Sequence, residues 1–168
     1  MGNLMEKELR KRQNLLVEAG MGVILFAVWS VAKVNLYLGN SPFILEDLHE
    51  VAEQLEINEK FFLIFMVTLL SIVLLFQLSI RLYIGLSAAA EGKGKSKGFI
   101  YLVLAAVLLI IEAQTCWQTF GVERILSGEG MSVELISGIC MEGASLYVLL
   151  ELLISGIRVK RLRRTMKV

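Results

Sequence analysis

Four stretches of this chain, 17–38, 59–82, 99–120 and 131–157, are each predominantly apolar over 22 or more residues. A helix rises about 1.5 Å per residue, so roughly 20 residues cross the ~30 Å hydrocarbon core of a bilayer. Hydrophobic residues make up 56% of the 168, and the mean hydropathy is +0.68. A soluble domain would be nearer about 45–50% apolar. The excess is gathered in the four runs and is not spread along the chain. The single proline argues against a loop-rich or all-β soluble fold. The expected architecture is therefore all-α: a polytopic membrane protein forming one domain, 1–168, with a four-transmembrane-helix bundle.

The first run holds Glu18, Lys33 and Asn35 and lacks a small-residue cleavage site. It reads as a retained span and not as a signal peptide. Met1-Gly2 opens like a myristoylation site, but Glu6 stands where Ser or Thr is needed. Residues 1–16 form a charged lead-in whose Leu4, Met5, Leu9 and Leu16 suit a helix lying on the membrane surface.

Gly39-Asn40-Ser41-Pro42 marks a break, with Ser41 as N-cap and Pro42 at the first helical position. After it, Ile44, Leu45, Leu48, Val51, Ala52 and Leu55 recur at helical spacing, opposite Glu46, Asp47, Glu50, Glu53 and Glu56. This predicts an additional amphipathic helix on the outer surface between helices 1 and 2. Asn58 is placed to cap the second span, which is the least polar of the four and so the most lipid-exposed. That span can continue helically to Glu91. The glycine-interrupted basic segment 91–98 then predicts a turn. Residues 158–168 read as a basic tail.

Charge sets the expected topology. The lead-in, the 91–98 segment with Arg81, and the tail hold 4, 4 and 6 Lys or Arg, which is 14 of the 17. The opposite loops hold Lys60 and Arg124 and most of the acids. The positive-inside rule then puts both termini in the cytoplasm, with the cell membrane the expected location. The expected partners are the bilayer itself, anionic lipid headgroups at the basic tail, and a second copy or another membrane protein. Nucleic acid is not expected, because the tail has no aromatic residues for base stacking.

The informative residues are the polar ones inside the apolar runs. A charged side chain at the bilayer centre costs at least ~2.5–3.5 kcal/mol on insertion scales, so such residues pair or serve a function. By rise per residue, Lys33, Glu112 and Glu142 fall in the middle to outer layer, with Glu134 near the outer boundary. Glu18, Arg81 and Glu151 fall near the inner boundary, where side chains reach headgroups. In the fourth run Glu134, Gly138, Met141, Glu142 and Ser145 share one face. Lys33 can pair with only one of Glu112 and Glu142, which leaves the other carboxylate needing a proton, a cation or water. The candidate substrate or ion pathway is thus Glu112, Glu142, Lys33, Glu134 and Ser145.

Other chemistry finds little support. Cys116 and Cys140 have no CxxC or metal-ligand spacing, and the single His49 makes no metal site. There is no HExxH, no GxSxG, no phosphate loop and no Ser/His/Asp set, so no catalytic residues, metal or cofactor are assigned. No internal repeat is evident, which argues against an inverted-repeat transporter within one chain. The expected function is a small transporter or channel component using the buried acids. The alternatives are a non-enzymatic subunit or regulator of a larger membrane complex, and a membrane-embedded lipid-modifying enzyme.

Overall fold

The computed structural model describes residues 2–40, 58–120 and 133–166. They form four helices: α1 (Gly2–Asn40), α2 (Glu59–Gly92), α3 (Ile100–Phe120) and α4 (Val133–Met166). No strand occurs among the described residues. All four helices are long and apolar enough to cross a membrane. The amphipathic helix expected over 43–57 lies outside the described residues.

Two expected boundaries are corrected, both at charged segments, and the expected helical continuation of the second span to Glu91 is present. α1 is one unbroken helix of 39 residues, so the lead-in is a continuation of the first span and not a separate surface helix. Its early turns gain an Arg10–Glu6 pair at 2.7 Å, one turn apart, and Leu16 is fully buried. α2 runs on to Gly92. Arg81 lies 11 residues, about 16 Å, before the end of this helix and is buried. α4 continues to Met166, so the basic tail is helical, with Val159 fully buried within it.

The ends of α2 follow from local chemistry. Asn58 caps the helix as expected: its Oδ1 accepts from the backbone N–H of Lys60 at 3.1 Å and of Phe61 at 3.4 Å. At the far end Lys95 N–H donates to Ala90 O and Gly94 N–H to Glu91 O, while Gly94 takes φ of +93°. This is a Schellman ending, with glycine in the left-handed position that side chains disfavour.

The chain groups into two compact units, Met1–Ile24 with Leu82–Val168, and Leu25–Arg81. The first has a core drawn from all four helices: Leu16 and Val23 of α1, Ile84 and Ala88 of α2, Tyr101 and Ala105 of α3, Leu149 and Leu152 of α4. Its helices meet at small residues. A Cβ on Gly20 would stand 2.7 Å from Gly85 O, and one on Gly85 would stand 2.6 Å from Gly20 O. A Cβ on Gly156 would meet Leu102 at 2.7 Å. Backbones approach this closely only where a side chain is missing.

In the second unit the outward side chains are apolar. Phe61, Ile64, Phe65, Ile72, Leu75 and Phe76 of α2 are all exposed. Its hydroxyls are satisfied within the helix: Thr68, Ser71 and Ser79 donate to the carbonyls four residues earlier at 2.7–2.8 Å. The surface is thus apolar in effect as well as in composition.

Candidate functional site

Two of the five candidate residues are brought together. Ser145 of α4 donates its hydroxyl to Glu112 Oε2 of α3 at 2.9 Å. Both side chains are buried, with 5% and 8% of their surface exposed. Each is one of a few polar residues within a long, predominantly apolar helix. The crossing of α3 and α4 puts a short hydroxyl-bearing side chain opposite the carboxylate, and the bond offsets part of the cost of burying it. Glu112 stands 12 residues, about 18 Å, along α3 from Ile100.

The others are placed differently. Glu142 is half-buried on α4, three residues before Ser145. Lys33 is half-buried and belongs to the second compact unit. Glu134 is in the first turn of α4, and its side chain lies outside the described residues. Two shallow surface concavities lie along the charged first turns of α1, lined by residues such as Leu4, Lys7 and Arg12, and neither reaches Glu112 or Ser145. Among the described residues no three His, Cys, Asp or Glu side chains are grouped to hold a metal ion.

A second polar centre was not among the candidates. Glu91, in the last turn of α2, has 1% of its surface exposed. Lys160 Nζ of α4 lies 3.0 Å from Glu91 Oε2 and donates to the backbone carbonyl of Lys97 at 2.5 Å. The same ammonium stands 4.7 Å from the Phe99 ring centroid and 5.5 Å from that of Tyr101. Arg163 Nη2 donates to Glu91 O at 2.8 Å, and its Nη1 is 3.9 Å from Glu91 Oε1. The alignment of Lys160 on Oε2 is that of an ion pair and not of a hydrogen bond. The buried Tyr101 hydroxyl beside this carboxylate also makes no well-aligned hydrogen bond. This cluster ties the end of α4 across the 93–99 turn.

Comparison with known families, characterised proteins and solved structures found no match.

A smaller cluster lies earlier on α4. Glu151 Oε1 accepts from Ser155 Oγ at 3.0 Å and faces Arg12 Nη1 at 3.9 Å. Glu151 thus has partners inside the first unit, whereas Glu18, expected at the same layer, is exposed. The Glu91 cluster could be sought in the sequence only through indirect signs. Gly85, Ala88, Ala89 and Gly92 form a small-residue stripe that continues α2 past its apolar run, and Lys160 and Arg163 share a face at i, i+3.

Proposed function

We propose that this chain is a multi-pass protein of the cell membrane, with both termini on the cytoplasmic side. We read it as a small transporter or channel component in which Glu112 handles a proton or a cation. The observation that carries this reading is the buried Ser145–Glu112 hydrogen bond between two helices long enough to span. At about 18 Å from the start of α3, Glu112 is too deep in a ~30 Å hydrocarbon layer for its short side chain to reach headgroups. Ionisable groups at such depth are functional candidates by default, as members of ion paths or proton relays. The hydroxyl of Ser145 supports the ionised carboxylate as a donor and can rotate to accept from the protonated one, so the site suits either state. The positive-inside asymmetry supports the orientation, and it survives without Arg81. Four helices leave little room for a wide pore, so a path would be completed by a second copy or a partner chain.

The test is flux in liposomes reconstituted with the purified protein and loaded with a pH- or cation-sensitive dye. Glu112→Gln can still accept from Ser145 and should keep the fold while abolishing flux. Ser145→Ala should reduce it. Single cysteines at Gly138, Met141 and Ser145, in a background with Cys116 and Cys140 replaced by Ser, should label with an impermeant maleimide as far as Ser145.

A second reading, a non-enzymatic subunit of a larger membrane complex, draws on the position of the concavities away from Glu112 and on the hydrogen bond that already satisfies this carboxylate. It expects protection at all three positions, no flux, and co-purification of another membrane protein.

A further inference from the structure

The basic end of α4 has two faces with different partners. Lys160 and Arg163 turn inward onto Glu91, the Lys97 carbonyl and the two rings. A helix turns 100° per residue, so fixing these two side chains sends Arg158, Arg161 and Arg164 to the other side. All three are exposed. The outward face they occupy does not begin with them. Tyr147, Leu150, Ile154 and Ile157 are exposed on the same side of α4, immediately before. One face of one rigid helix thus passes from apolar to arginine between Ile157 and Arg158.

We infer that this face is a binding surface for anionic phospholipid of the cytoplasmic leaflet. The acyl chains lie along Tyr147, Leu150, Ile154 and Ile157, and the headgroup phosphate lies on Arg158, Arg161 and Arg164. The inference rests on the membrane reading above. Two features favour a lipid over any water-soluble anion, and a third suits its phosphate. The apolar strip is continuous with the cationic one. The change occurs within a single residue step, as at the edge of hydrocarbon. The cations are all arginines, whose planar fork of donors matches phosphate oxygens in pairs. The exposed Lys93, Lys95 and Lys97 border the same end, because Lys160 bonds the Lys97 carbonyl, and they add to the attraction for anionic headgroups. The tail is therefore not a uniform lipid anchor: two of its six cations serve the interior.

The experiment uses the full chain in vesicles of phosphatidylcholine alone and of phosphatidylcholine with phosphatidylglycerol, and reads the thermal unfolding midpoint. Resistance of the protein to alkaline carbonate extraction is scored separately and tests the membrane reading alone. With the wild type, phosphatidylglycerol should raise the midpoint by several degrees, and salt should reduce the rise. R158Q/R161Q/R164Q should keep the midpoint in phosphatidylcholine and lose most of the rise. Lys160→Met should lower the midpoint in both lipids and keep the rise. Inorganic phosphate added to phosphatidylcholine vesicles should not reproduce the rise. The inference is overturned by a rise that survives the triple substitution. It is equally overturned by no rise in the wild type, or by stabilisation with phosphate or an RNA oligonucleotide but not with phosphatidylglycerol.

Discussion

Glu91 is a buried carboxylate on which two cations converge. Burying a carboxylate without partners would cost several kcal/mol, so its two cations are required and not ornamental. Removing one partner of such a cluster strands the other, at about 3–5 kcal/mol. Lys160→Met should destabilise more than Glu91→Gln, because it leaves the carboxylate, 1% exposed, only Arg163 at 3.9 Å, whereas the ammonium left by Gln is 13% exposed and keeps its bond to the Lys97 carbonyl and its position over the rings. The double variant Glu91→Gln/Lys160→Met should be less destabilised than the sum of the two singles. Unfolding midpoints in one neutral lipid give this cycle directly. Equal effects, added without coupling, would mean the pair is incidental. This cluster was illegible in the sequence for a definite reason. Glu91 opens a glycine- and lysine-rich segment that reads as a turn, and its cations lie 69 and 72 residues away. By contrast Glu112 and Ser145 were legible because each is polar in an otherwise apolar run.

Among the elements, the helix interiors followed from hydrophobic periodicity, and the helix ends did not. Residues 2–16 are rich in Lys, Arg, Glu and Leu, and residues 158–166 in Arg, all good helix formers. Their charge reads as surface, while their packing, through Leu16 and Val159, is decided by the rest of the fold. The crossing of α1 and α2 depends on backbone contact. Gly85→Val would place its Cβ 2.6 Å from Gly20 O and from Ile24 Cγ1, and a backbone oxygen cannot swing aside. We expect it to cost about 1–3 kcal/mol or more and to loosen α1 from α2. Gly143→Ala meets nothing within 4 Å and should be neutral or slightly stabilising. Denaturant unfolding of the two variants checks both. Similar losses at Gly85 and Gly143 would show that helix propensity, and not close approach, governs these glycines.

For the molecule as a whole, length matters as much as hydropathy. α1, α2 and α4 contain 39, 34 and 34 residues, about 50–60 Å each, so they overshoot a ~30 Å hydrocarbon layer and carry folded structure beyond it. In lipid, apolar contact between helices adds little, and small residues and polar pairs hold a bundle together. The first compact unit has both. The orientation gives a direct test. With Cys116 and Cys140 replaced by Ser, a cysteine at Lys95 should react with impermeant maleimide only after cells are opened, and one at Lys60 should react in intact cells. The reverse pattern would invert the topology.

The tie across the 93–99 turn also has a consequence in time. Glu91 leaves the ribosome 69 residues ahead of Lys160. At roughly 5–20 residues per second, that is a delay of several seconds. During it the α2–α3 hairpin has no cation from α4, so the tie across this turn cannot close until the end of α4 has been made. Trypsin should cut after Lys97 in stalled nascent chains ending before Arg158. It should cut there much more slowly once Lys160 has emerged and holds the Lys97 carbonyl.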